Sequence, residues 1–364
     1  MKQKAMESKR LLAVLVAAFA MVFALGLAGC GGGSASSSSA SGSGDAAASG
    51  ETLTLIAADA AAPESAGNKW QLAFKEKVES LSNGAIVVDY HGNSDLGGDT
   101  DIQTQVQDNS VQIHVSQPAP LVSTIPGFAV FDAHMTFATA DAAVIDGVLN
   151  GDNAFSQGLQ ASAEENGEHI LGWLQNGTFR QVTSNKELKS IEDYKGFQIR
   201  TMENKNHMAF WTALGAEPTP LAFSEVYISL QNGTIEGEEN ATDTVVGNSL
   251  QEVQKYLAKT NHLLYANTMV ISKACWDGLT DDQKAIIEQA VTEATAEVAP
   301  TLGQLDADST KKMQDDGVEV IEYDDSFFQA VQDNADVQKL NEDIDGQCGG
   351  LLTTLKDELA KAAK

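Results

Sequence analysis

The run Thr52-Leu53-Thr54-Leu55-Ile56-Ala57-Ala58 is followed by Trp70, Phe74, Val78 and Leu81 at helical spacing, then Asn83-Gly84, then Ala85-Ile86-Val87-Val88-Asp89-Tyr90. A β-prone run, an amphipathic helix closed by Asn-Gly and a second β-prone run make a βαβ unit. Strands joined by such a crossover lie parallel, so the fold class is α/β. The pattern recurs: Ile102 and Val106 share one face of a predicted helix over 99–109, and 111–116 reads as a strand.

Further along, strands predicted at 170–175, 197–201 and 234–237 alternate with helices predicted at 204–214 and 224–231, the second stopped by Gly233. Thr280 with Gln283 is a capping box that opens a long helix. Its apolar face holds Ile287, Val291, Ala294, Val298 and Leu305, and Pro300 predicts a kink within it. Gly317 ends that helix. A strand over 318–323 and a last helical stretch with Phe328, Val331 and Leu340 complete the chain.

At the other end, Lys2, Lys4, Lys9 and Arg10 precede an apolar stretch from Leu11 that stops at Leu27-Ala28-Gly29-Cys30. Basic, apolar, then small residues is the order of a signal peptide over 1–29. The ending resembles a lipobox, with Cys30 lipidated and first in the mature chain. An uncleaved membrane helix is the alternative, since the stretch nearly spans a bilayer. Residues 31–50 are almost all Gly, Ser and Ala, a tether that buries nothing. The reading is thus an exported protein, anchored through its lipid to the outer face of the cytoplasmic membrane.

The formal net charge is −28, and no basic run offsets it. So acidic a chain repels polyanions, which argues against nucleic acid as a partner. A small anion must be captured by a local positive site. Cys275 and Cys348 lack CxxC spacing, and an exported location permits either a disulfide between them or two buried thiols.

The histidines, His91, His114, His134, His169, His207 and His262, show no HxH, HExxH or HxxxH pairing, so a metal site has no local support. No nucleophile elbow, phosphate loop or dinucleotide fingerprint is present, and neither an enzyme nor a cofactor is expected. Leu96-Gly97-Gly98-Asp99 before a helix is a weak anion signal. Glu236, Glu238 and Glu239 read as a solvated turn.

The arginines stand out. After Arg10 only Arg180 and Arg200 remain, each at or beside a predicted strand. Arginine's planar fork matches a carboxylate in bidentate fashion, which lysine cannot do. Alternation sets Arg200 opposite Phe197 and Ile199 at a strand's C-terminal end, where open α/β sheets bind ligands. On composition alone, an ion pair with one of the many carboxylates is the commoner role.

Several segments carry a more specific signal: 178–184 (Thr-Phe-Arg-Gln-Val-Thr-Ser), 194–200 (Tyr-Lys-Gly-Phe-Gln-Ile-Arg), 214–221 (Leu-Gly-Ala-Glu-Pro-Thr-Pro-Leu), 223–227 (Phe-Ser-Glu-Val-Tyr), and 230–240 from Leu230-Gln231-Asn232-Gly233 to Glu236-Gly237-Glu238-Glu239-Asn240. Together they closely resemble the solute-binding subunit of tripartite ATP-independent periplasmic (TRAP) transporters, the DctP-like family. The resemblance implies a periplasmic-binding-protein-like fold of two lobes, 51–177 plus 266–305 and 178–265 plus 306–364, with a long helix crossing both. It implies a small organic acid as ligand and a membrane permease as partner. Arg200 would pair with the ligand carboxylate, Arg180 would support the same anion and Asn240 would hydrogen-bond nearby. Phe223 and Gln117 are further candidates for the ligand-binding set. Asp132-Ala133-His134-Met135 departs from the family, which usually carries a Leu-Pro pair there. An ABC-type receptor, an acid-sensing lipoprotein and an exported enzyme are the alternatives.

Overall fold

The computed structural model describes residues 52–138 and 140–363; the signal peptide, Cys30 and the tether lie outside those residues. The opening βαβ unit forms as read. β1 (Leu53–Asp59) and β2 (Ile86–His91) are parallel, joined by the helix Ala66–Leu81. Trp70, Phe74 and Val78 form that helix's fully buried stripe, which is why the spacing predicted it.

β3 (Ile113–Ser116) pairs parallel with β1 on its other side. β4 (Glu168–Leu174) lies at the far edge of the sheet. Between them runs a late strand, β10 (Asn267–Ser272), antiparallel to both, giving the order β2-β1-β3-β10-β4.

The second sheet holds β5 (Gln181–Ser184), β6 (Gln198–Thr201), β7 (Glu217–Pro220), β8 (Gly237–Asn240), β9 (Tyr256–Ala258) and β11 (Glu319–Ile321), ordered β11-β9-β5-β8-β6-β7. Pro218 and Pro220 sit in β7, the edge strand, where a missing N–H costs no ladder bond. The strand predicted at 234–237 is displaced to β8. Gly237 must begin it: a Cβ there would lie 2.3 Å from Thr183 O on the neighbouring strand. Glu238 and Glu239, weak strand formers, are held by pairing with β5 on one side and β6 on the other.

The chain passes between the sheets after β4, after β9 and along the long helical segment. The Thr280–Gln283 capping box forms and opens the helix Asp281–Val298, which packs on Ala66–Leu81. Pro300 lies in a short 3-10 turn, Ala299–Thr301, that breaks the segment; the helix Leu302–Asp315 then packs on Thr242–Gly247. The expected kink is therefore present, at the residue that cannot donate its N–H.

One apolar core lies under the first sheet, around Leu55, Trp70, Met269 and Val291. A larger one runs from Phe128, Phe131 and Trp173 to Tyr194, Phe197 and Trp211, so it joins material of both sheets. Three C-terminal helices cover it. Ala335–Gln347 packs on Lys205–Ala213 and on the 3-10 segment Pro126–Asp132. Leu351–Ala362 packs on Ala142–Leu149 and Ala154–Glu165, so the chain end straps back over the first half of the molecule.

Cys275 and Cys348 are both free thiols. The disulfide considered for them does not form: Cys275 packs on the core under the first sheet and Cys348 belongs to the larger core. Among the described residues no helix is long and apolar enough to cross a membrane.

Candidate functional site

Where the two sheets face each other lies a cavity of about 400 Å³. Arg200, Asn240, Gln117 and Phe223 line it; Arg180 does not. Four of the five predicted ligand residues thus meet in one space.

Arg200 occupies β6 and is 3 % exposed. Its Nε and Nη2 donate to Leu221 O at 3.0 and 2.7 Å, which orients the guanidinium. Its Nη1 is buried and has no protein partner. The Phe223 ring centre lies 5.6 Å from Cζ, a cation–π distance that fixes one wall. Burial lowers the Arg200 pKa to about 10, against the nearby charges of Glu239 and Glu238. The group stays cationic at neutral pH, and its unmet donor is what a carboxylate oxygen satisfies best.

Arg180 differs from expectation. Its Nε donates to Glu239 Oε2 at 2.6 Å and its Nη2 to Glu239 Oε1 and Asn240 Oδ1, each at 3.0 Å. Nη2 also reaches Glu239 O, and Nη1 donates to Gln117 Oε1. Each of its three nitrogens meets an acceptor, and Arg180 stands behind the cavity and holds two of its lining amides. It supports the site without facing it.

Asn240 donates through Nδ2 to Glu238 Oε2 at 2.6 Å, and Thr183 Oγ1 donates to Glu238 Oε1 at 2.5 Å. Glu238 and Glu239 are fully buried, which overturns their reading as a solvated turn. Both belong to β8, and on the faces of the sheet Glu238 is covered by Thr183 and Asn240 and Glu239 by Arg180 and His262. Burial raises the Glu238 pKa. It also opposes the charge on Glu239, but Arg180, His207 and His262 outweigh it and hold that carboxyl well below the usual range.

Three of the histidines gather here. His262 is lowered by burial; its Nε2 lies 3.0 Å from Glu239 Oε2 and its Nδ1 2.8 Å from Thr260 Oγ1, so the neutral ring donates to the carboxylate and accepts from the hydroxyl. His207 lies between Asp132 (Nε2 to Oδ1 3.1 Å) and Glu239 (Nδ1 to Oε1 3.6 Å). Burial opposes its charge, yet the hydrogen bond to Asp132 and the nearby Glu239 carboxylate push its pKa up to about 9. His134 stacks on Phe210 and is held well below its ordinary value by burial.

Asp132 also accepts from Asn204 Nδ2 and Asn206 Nδ2, each at 2.9 Å, and Asn204 Nδ2 reaches Ala119 O at 3.0 Å. This network ties the segment after Gln117 to the segment after Arg200. Arg180 and His207 balance Glu239 and Asp132 in charge. Arg200 is left as the site's cation without a carboxylate bonded to it. The sequence reading missed Asp132 and His207 as site supports, although Asp132-Ala133-His134 was visible as a departure from Leu-Pro. No group of His, Cys, Asp and Glu among the described residues could hold a metal.

Comparison with known proteins extends these findings. The model of the family described as bacterial extracellular solute-binding protein, family 7 (DctP), matches residues 57–341. A solute-binding protein of Roseobacter denitrificans is 30 % identical over 281 residues, 76 % of this chain and 85 % of that protein. One of Verminephrobacter eiseniae is 32 % identical over 218 residues, which span 60 % of this chain and only 64 % of the relative. A TRAP periplasmic solute-binding protein from Desulfovibrio salexigens, solved with bound orotic acid, superposes with a TM-score of 0.80 at 25 % identity, covering 85 % of this chain and all of that one. A two-lobed α/β frame, a cleft with a buried arginine on β6 and a family match over most of the chain agree: this chain belongs to the DctP family of extracellular solute-binding proteins, the receptors of TRAP transporters.

Proposed function

We propose that this chain captures a small organic carboxylate in the cleft between its sheets and delivers it to a membrane permease. The observation that carries this is the Arg200 guanidinium: buried, cationic, oriented by Leu221 O, with Nη1 unpartnered in a cavity sized for a small molecule. Asn240 and Gln117, held from behind by Arg180, supply neutral hydrogen-bonding groups beside it. The orotic acid bound by the Desulfovibrio protein is itself a carboxylate, which supports the reading.

In this reading the lobes are 51–177 plus 266–305 and 178–265 plus 306–364, and they close on the ligand. No bond of the ligand is broken; the protein is a receptor and not an enzyme. Isothermal titration against a panel of keto, hydroxy, sugar, aromatic, amino and dicarboxylic acids, with product analysis of the bound acid, tests it. Tight binding of an unchanged acid is expected. Silence across the panel, or turnover, sinks it.

The chain is further proposed to be lipidated on Cys30 and tethered by residues 31–50. The order of basic, apolar and small residues ending in Leu27-Ala28-Gly29-Cys30 supports this. Mass spectrometry of the mature protein should find a lipid-modified Cys30 at the N-terminus, and an intact Met1 would refute it.

A further inference from the structure

The wall of the cavity away from Arg200 has the opposite sign. Among the described residues Arg200 is the cavity's one cationic lining side chain, whereas Asp99, Asp101 and Glu203 all line the same space. Glu203 is exposed and sits where solvent screens it. Asp101 turns its Oδ2 back to accept from Gly98 N at 3.2 Å. Asp99 is different because it is built into the wall.

Asp99 opens the helix Asp99–Gln107. Its Oδ1 accepts from Ser116 Oγ at 2.7 Å and lies 3.3 Å from Nε2 of the fully buried His114, whose Nδ1 lies 3.3 Å from Gln103 Oε1. Those contacts fix the carboxylate from behind. Its Oδ2 takes no hydrogen bond among the described residues, and the residue lines the cavity. The positive end of the helix is already met by Asp99 and Asp101 in its own first turn, so it offers little to a second anion. Arg180 does not line the cavity, and each of its three nitrogens is engaged by Glu239, Asn240 or Gln117.

We propose that Asp99 is the specificity-determining residue of the cleft: the ligand has one carboxylate, on Arg200, and a hydrogen-bond donor, hydroxyl or ammonium, on Asp99. The proposal rests on the reading of Arg200 as the carboxylate partner. A ligand with a second carboxylate at its far end would set that group against Asp99 and Asp101 with no cation to meet it. A hydroxyl or ammonium there completes the free oxygen of Asp99. Discrimination comes from repulsion of the wrong ligand as much as from attraction of the right one.

Matched pairs test this by titration calorimetry: galactonate against galactarate, and 5-aminovalerate against glutarate. The monocarboxylate of at least one pair should bind, by roughly a hundredfold or more over its dicarboxylate partner, the scale of an unpaired charge in a shielded site. Which pair responds distinguishes a hydroxyl from an ammonium on Asp99. Asp99→Asn should shrink the gap at least tenfold, chiefly by admitting the dicarboxylate; Asp99→Ser serves as a second variant, and thermal melts of both check folding. A dicarboxylate that binds wild type as well as its partner, or a gap unmoved in both variants, overturns the proposal while leaving the Arg200 reading intact. Binding by neither member of either pair overturns this proposal alone; undiminished binding by Arg200→Ala overturns the Arg200 reading and this proposal with it.

Discussion

Arg180 and Glu239 form an ion pair with both side chains almost wholly buried, Nε 2.6 Å from Oε2. The pair belongs to the scaffold, because Arg180 stands outside the cavity lining and fixes Asn240 and Gln117 from behind.

Breaking this pair from one side strands a charge away from water. Arg180→Met or Glu239→Gln should each cost about 3–5 kcal/mol in urea unfolding. Arg180→Met combined with Glu239→Gln should cost less than the sum of the two, since no buried charge of the pair remains. Strict additivity in this double-mutant cycle would show that the two side chains do not act as a pair.

Arg200 should behave in the opposite way. Its charge is buried without a bonded carboxylate, so Arg200→Ala should leave the unfolding midpoint near wild type or raise it. Affinity for any acid the wild type binds should fall by more than about a hundredfold, the loss of a charge-assisted pair. Arg200→Lys should rescue little of it, because a point charge on a flexible stem cannot donate to Leu221 O and to a ligand in one plane. Calorimetry on the three proteins decides this; equal affinity in Arg200→Lys would show that the planar fork is not what matters.

Much of the fold was legible because its signals are local. The Trp70-Phe74-Val78 stripe, the Thr280–Gln283 box and Pro300 each act within a few residues of themselves, and each appears where expected. β8 was misplaced because its position is set by partners: Gly237 is demanded by Thr183 on another strand, and no periodicity in Gly-Glu-Glu-Asn announces a buried central strand. The site divides likewise. Arg200 was legible from strand alternation and from motif; the separation of its role from that of Arg180 was not, because it depends on where Glu239 points. Asp132 and His207, 75 positions apart, meet only once both sheets are built.

His207 predicts a pH dependence on the alkaline side. Its folded pKa, pushed up to about 9 against an ordinary 6.5, means that its stabilisation is fully present below about pH 6.5 and is lost as pH rises through 9. A shift of that size is of order 3 kcal/mol. Urea midpoints from pH 6 to 10 should fall over that window, and Asp132→Asn should flatten the fall by lowering the His207 pKa. The ring proton resonances of His207 give a direct check. Titration near 6.5 in the wild type would remove the charged pair.

Glu168 predicts the complementary effect on the acidic side. It is fully buried at the start of β4, with Oε1 receiving Gln103 Nε2 and Oε2 without a partner, and burial pushes its pKa up to about 7. A carboxyl raised in the folded state binds its proton more tightly there than in the unfolded chain. Its contribution is therefore greatest below about pH 4.5 and is lost as pH rises through 7. Asp59, raised by burial to about 6, acts in the same direction. Glu168→Gln keeps the shape and removes the ionisation, so at pH 8 it should be more stable than wild type by roughly 2–3 kcal/mol. At pH 4.5 the two should nearly coincide, because the wild-type group is then protonated in the folded protein. Paired urea titrations at the two pH values measure the difference, and a Gln variant weaker than wild type at pH 8 would mean that the Glu168 carboxylate is stabilised by its surroundings.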